Sequence, residues 1–234
     1  MSSQHLSIQM KNERDYRIGI SLINFDFDAT GNLYRYIQKI GIKRVEISFD
    51  SAEKFFFLQE SLMAHGISIQ SIHARKDLFY QSSTLISTYL NELRKVSLIF
   101  PELFILFHPN GNNLKDYLEE LANFPMKVCF ENTIEDAAEI LQILNFSNNF
   151  GLVLDIAHYS YHSSHVILAD HPAIRYFHIR GFNNGYSTLL DNSDTAHKFT
   201  IKQLLENSKS IVVLENSYRS FQEIIFDYLY MRRL

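Results

Sequence analysis

Six apolar runs in this chain end in a side chain that is costly to bury. They are SIHAR (Ser71–Arg75), LFHPN (Leu106–Asn110), CFENT (Cys129–Thr133), LDIAHY (Leu154–Tyr159), FHIRG (Phe177–Gly181) and VLENSY (Val213–Tyr218). The groups at or near their ends are His73, His108, Glu131, Asp155, His178 and Glu215, with His158 three residues beyond Asp155. Carboxylates gathered in one place repel one another and raise each other's pKa unless positive charge sits among them. Imidazoles interleaved with carboxylates form the donor set of divalent ions of the zinc or manganese type. A bound metal is the economical explanation. A single histidine in a strand is more often a hydrogen-bonded polar residue than a ligand, and Glu131 alone would suit a helix cap. Consecutive runs that each end in a candidate ligand are what this bland reading does not produce.

These runs belong to a longer alternation. The β-rich segments are 17–23, 43–49, 67–73, 102–108, 126–131, 151–155, 174–179 and 211–215. They are nearly continuous in apolar residues, as strands covered on both faces are. Between them, 32–41, 51–66, 83–100, 113–124 and 133–144 carry apolar residues at helical spacing, and Gly41 and Gly66 stand where C-terminal caps belong. Ser51 opens one helix, and Thr133 with Asp136 reads as an N-cap with acidic support. The segments 162–171 and 200–208 read as shorter helices, and 218–233 as the last. Strand–helix alternation repeated eight times gives a closed (β/α)8 TIM barrel or a doubly wound open sheet. The chain has no Gly-rich dinucleotide fingerprint and no P-loop, which favours a single α/β barrel over residues 1–234, compact, with short βα loops. Residues 1–16 read as an N-terminal extension. In such a barrel, side chains at the C-terminal ends of the strands converge on the mouth, where catalytic groups are placed.

Composition agrees and excludes little. The 234 residues are 46% hydrophobic, with net charge −4 and a sequence pI near 6.2. The basic residues are scattered, which argues mildly against an extended nucleic-acid surface. Cys129 is the sole cysteine, so no intramolecular disulfide forms and a cytoplasmic setting is expected. Within MKVCFEN it reads as a small buried hydrophobe. No apolar run is long enough for a membrane span, and the opening residues lack a secretory signal's apolar stretch. His5, His65, His162, His165 and His171 read as solvated surface, and Glu46 as a supporting group or an internal salt-bridge partner.

The set IHAR, FHPN, FENT, DIAH, FHIRG and LENS resembles, in order along the chain, the xylose isomerase-like TIM barrels. That superfamily includes sugar isomerases and epimerases and endonuclease IV (AP endonuclease family 2). The resemblance spans roughly Ser71 to Tyr218. It implies a metal site made of Glu131, Asp155, His178 and Glu215, with Glu131 and Glu215 also acting as acid and base, and His158 orienting a substrate oxygen. His73 and His108 go beyond the one-metal pattern and match the endonuclease's additional ions. There a third ion uses the histidine after strand six, here His158, and an Asp-x-His pair. This chain offers Asp194 and His197 at a spacing one residue longer, with Asp191 a further candidate.

The favoured expectation is therefore a divalent-metal-dependent isomerase or epimerase acting on a small sugar or sugar phosphate, with one to three zinc or manganese ions. A zinc phosphodiesterase acting on abasic DNA is the second reading, with nucleic acid a less favoured partner because the loops read as short and no basic stripe is visible. A barrel that only binds a metabolite is the third. Arg75, Lys76 and Arg180 are placed to hold a phosphate, and Phe79 and Tyr80 to stack on a sugar or base or to cap the barrel.

Overall fold

The structure is a computed structural model and describes residues 17–23, 31–207, 210–216 and 220–234. The N-terminal extension 1–16, His5 and Tyr218 lie outside these, as does the side chain of Phe221. Eight parallel strands close into a barrel: β1 (Ile18–Ser21), β2 (Arg44–Ser48), β3 (Ser68–His73), β4 (Phe104–Phe107), β5 (Lys127–Glu131), β6 (Phe150–Asp155), β7 (Ile174–Ile179) and β10 (Ile211–Leu214). The ring is closed by β1 pairing with β10, Gly19 opposite Val213. An antiparallel hairpin of β8 (Gly181–Asn183) and β9 (Tyr186–Thr188) is inserted after β7.

Among the described residues, eight helices pack outside: α1 (Gly31–Lys39), α2 (Ala52–Ala64), α3 (Ser83–Ser97), α4 (Leu114–Ala122), α5 (Ala137–Leu144), α6 (Ile156–Tyr161), α7 (Thr195–Asn207) and α8 (Phe221–Arg233). No helix among the described residues is long and apolar enough to cross a membrane. α2 begins as its sequence suggests, with Ser51 Oγ accepting from Lys54 N at 3.3 Å. α5 does not begin at Thr133. Its cap is Asp136, whose Oδ1 accepts from Ala138 N at 2.8 Å. The preceding residues turn instead at the barrel mouth, where Thr133 N donates to Glu131 O at 2.8 Å and the Thr133 hydroxyl to Asn110 Oδ1 at 3.3 Å.

Two apolar layers result. The larger lies between strands and helices and includes Ile105, Phe107, Phe130, Leu152 and Ile179. The smaller fills the barrel interior with Leu106, Cys129, Val153, Tyr176 and Val213. Burial pushes the Cys129 thiol up to about 12, so it packs rather than reacts. On α8, Tyr230 is half-buried against the core while Phe226 stays exposed.

Candidate metal and active site

Period-two alternation puts one set of strand side chains inside the barrel, and the last inward-facing residue of each strand reaches the mouth. His73, His108, Glu131, Asp155, His178 and Glu215 gather there, none more than 9% exposed. Three overlapping groups share Glu131: His73–His108–Glu131, Glu131–His178–Glu215 and Glu131–Asp155–His158, each with candidate ligand atoms within 4.8 Å of one another.

In the first group, His108 Nε2 lies 3.2 Å from His73 Nε2 and 2.9 Å from Glu131 Oε2. His73 Nδ1 is 2.8 Å from Ala74 O, the geometry of a donor, which leaves its Nε2 lone pair facing His108. In the second, His178 Nδ1 is 2.7 Å from Glu215 Oε2 and 3.5 Å from Glu131 Oε1. In the third, Asp155 carries two duties. Its Oδ1 caps α6, accepting from Ala157 N at 2.7 Å and His158 N at 3.2 Å, so the Asp-x-x-His spacing is that of an N-cap and its third helical residue. Its Oδ2 pairs with Arg180 Nη2 at 3.1 Å, and the same Nη2 lies 3.4 Å from His158 Nε2.

Burial opposes charge in all these groups, yet the ion pairs prevail for most. For Glu131, contacts with His108 and His178 hold the carboxyl well below its ordinary range. Glu215 is drawn down to about 2 by His178. His178 is raised well above its usual value because Glu46, Glu215 and Glu131 outweigh its desolvation. Asp155 goes the other way, since burial outweighs Arg180.

A pH dependence follows. Glu215 contributes stability that is present above its unfolded value of 4.5 and lost as pH falls toward its folded value of about 2, and Glu131, also depressed, acts in the same direction. His178 contributes stability that is present below 6.5 and lost as pH rises through its raised folded value. Protein held in excess chelator is therefore expected to melt highest between about pH 4.5 and 6.5. A melting temperature that climbs steadily from neutral to alkaline pH would contradict the assigned charges.

A divalent ion fits these donors. Glu131 Oε2 and His178 Nδ1 are buried without a directed hydrogen bond, although His108 Nε2 and Glu215 Oε2 lie 2.9 and 2.7 Å away. Within each group the donor atoms converge within 4.8 Å of one another, a spacing that could hold a metal ion.

The other candidates lie further out. Arg75 is exposed and pairs with Asp77 at 3.2 Å, beside a cleft lined by Ser48, Asp50, His73, Arg75 and Lys76. Tyr80 is exposed and Phe79 buried. Asp194 and His197 are not brought into the cluster. Asp194 Oδ1 accepts from His197 N at 2.8 Å, while the His197 ring spans Arg180 O at 2.8 Å and Ser160 Oγ at 3.2 Å. Asp191 lies on a 3-10 turn before them.

His165 is buried, contrary to its reading as surface. Its Nε2 donates to Ile134 O at 2.8 Å, and its Nδ1 accepts from Asn132 Nδ2 at 3.2 Å. Asn132 in turn donates to Asp155 O and accepts from Asp155 N at 2.6 Å, which locks the β5 and β6 ends together. Glu46 is an internal salt-bridge partner, its Oε2 lying 3.2 Å from His178 Nε2.

No family model matches the sequence, and no curated protein matches it. Solved structures do share its fold. A xylose isomerase-like TIM barrel protein from Mycobacterium smegmatis, in complex with magnesium, superposes with TM-score 0.66 at 12% identity, covering 94% of this chain and 97% of that one. A D-psicose 3-epimerase, in the presence of D-fructose, gives 0.61 at 13% identity over 93% and 96%. An AP endonuclease, family 2, from Brucella melitensis gives 0.60 at 14% identity over 89% and 95%. At these identities the likeness is one of fold, a (β/α)8 barrel.

Proposed function

We propose that this protein is a divalent-metal-dependent isomerase or epimerase that moves a proton beside the carbonyl of a small sugar or sugar phosphate. The observation that carries this reading is the placement of two ionised carboxylates, Glu131 and Glu215, on different strand ends, both against His178 Nδ1. Glu131, Asp155, His178 and Glu215 would hold the ion. When bound, it supplies Lewis-acid polarisation of the substrate's carbonyl and hydroxyl oxygens. Glu131 takes a proton from the carbon beside the carbonyl and Glu215 delivers one to the opposite face, or the reverse. His158, half-buried above Asp155, orients a substrate oxygen. Arg180 offers a guanidinium to a phosphate or an oxyanion at the same rim, Arg75 and Lys76 do so at the cleft beside His73, and Tyr80 presents a ring for stacking. The epimerase and the magnesium complex among the structural neighbours support this assignment by fold alone.

A second reading, zinc-dependent phosphodiester hydrolysis, is favoured by one observation: His73, His108 and Glu131 form a ligand group of their own. It would be a two-ion centre, because His197 and Asp194 are engaged elsewhere. Metal analysis separates the two. Purified protein is expected to retain about one ion per chain, which tolerates manganese, and His108→Ala is expected to leave that count unchanged. Two tightly held zinc ions, one of them lost in His108→Ala, together with nicking of an abasic-site duplex, would install the second reading.

A further inference from the structure

Below the mouth, one buried carboxylate belongs to none of the ligand groups. Glu46, on β2, is fully enclosed. A single oxygen, Oε2, receives three donors: Ser71 Oγ at 2.8 Å, the Tyr176 hydroxyl at 2.9 Å and His178 Nε2 at 3.2 Å. Its other oxygen has no hydrogen-bond partner. As an element of the fold alone this is expensive, because a buried charge with an unsatisfied oxygen is destabilising where an apolar side chain would pack. The interior cluster beside it, Leu106, Cys129, Val153 and Val213, is filled in that cheaper way.

What the arrangement does is fix a ring. An ionised carboxylate only accepts, so Nε2 of His178 must carry the hydrogen that lies between them. The opposite nitrogen, Nδ1, is then the one presented to Glu131 and Glu215. The two hydroxyls hold Oε2 from β3 and β7, so the carboxylate cannot swing away from the imidazole.

We infer that Glu46 is a positioning residue that sets the orientation and tautomer of His178, aiming Nδ1 at the space between Glu131 and Glu215. Its consequence for metal affinity rests on the metal site proposed above. Outer carboxylates that hold ligand histidines in this way typically change metal affinity by ~10–100-fold. Ser71 and Tyr176 act one step further out, by holding Glu46.

The test uses the full chain, stripped with chelator, with Zn2+ as the probe. Three proteins are compared: wild type, Glu46→Gln and Tyr176→Phe. Zn2+ affinity is measured by competition with a chelating dye, metal-free melting is recorded alongside, and the His178 ring is read in 1H–15N imidazole spectra, assigned with His178→Asn. Glu46→Gln is expected to weaken Zn2+ binding by ~10–100-fold and Tyr176→Phe by several-fold. The wild-type spectrum is expected to show a slowly exchanging Nε2–H on His178 that is lost in Glu46→Gln.

Wild-type affinity in Glu46→Gln would overturn the inference. So would an affinity loss in both variants matched by lower metal-free melting with the Nε2–H signal intact. Should Glu46→Gln fail to fold, Tyr176→Phe decides by the same readouts. If the wild type binds no Zn2+, the metal reading fails while the imidazole spectrum still decides the role of Glu46.

Discussion

Glu131→Gln and Glu215→Gln should each suppress solvent-deuterium uptake by a ketose substrate by roughly 10²–10⁴-fold, the usual contribution of a positioned acid or base. The amide keeps the shape of the side chain but can neither take nor return the proton. Both residues sit in walls that tolerate the swap sterically, since Gln differs from Glu by one terminal atom. The measurement is mass spectrometric deuterium incorporation in a panel of ketohexoses and their phosphates, with circular dichroism confirming that each variant is folded. Undiminished exchange in both variants would remove them as acid and base. Exchange lost in one and retained in the other would assign a single-base isomerisation to the residue whose loss matters.

The second large effect is on stability. Gly111 follows the HPN turn after β4 and has φ 120°, a backbone conformation that L side chains rarely adopt. A Cβ there would lie 2.6 Å from Phe79 C and 2.7 Å from Phe79 O, which are main-chain atoms that cannot rotate away. The contact joins the turn after His73 to the turn after His108, and it is reinforced by Asn113 N donating to Phe79 O at 3.2 Å and Asn113 Nδ2 to Gln81 O at 2.8 Å. Gly111→Ala is therefore expected to cost about 3–5 kcal/mol, summing backbone strain and overpacking. Gly185 provides the control. Its φ of 85° is similarly left-handed, but nothing lies within 4 Å of the added carbon. Gly185→Ala is expected to cost about 1 kcal/mol. Equal losses for the two in urea denaturation would show that conformation alone, and not the close approach to Phe79, is what matters.

Much of this molecule is readable from its residues because strands buried on both faces leave an unambiguous trace. The span Ile174–Ile179 is found as read, and the other strands agree to within two residues at either end. The apolar runs mark the staves, and the polar residue that interrupts each run marks the mouth. What escapes the sequence are contacts between distant segments. His165 looks like a surface residue because nothing nearby explains it; its partners, Asn132 and Ile134, are more than thirty residues away. The Arg180–Asp155 pair is hidden for the same reason. Asp194 and His197 mislead in the opposite direction: the pair reads as ligands by analogy, whereas a local main-chain bond accounts for Asp194. Thr133 loses the cap to Asp136 because the residues after Glu131 turn at the mouth before the helix begins. Even the β8–β9 hairpin had a visible signal, Asn184-Gly185, both at positive φ, between residues that pair as strands.

The ring of strands has a consequence for assembly. Val213 and Gly19 become neighbours only when the first and last staves meet, and His178 finds Glu46 on β2 only in that completed cylinder, whereas Glu215 reaches it from the adjoining strand. An intermediate with an unjoined seam can therefore already line up Glu131, Asp155, His178 and Glu215 on neighbouring staves, while the hold of Glu46 on His178 waits for closure. Zinc added during refolding should therefore be captured weakly before the ring closes and tightly afterwards, so that closure sets the strength of the site rather than its existence.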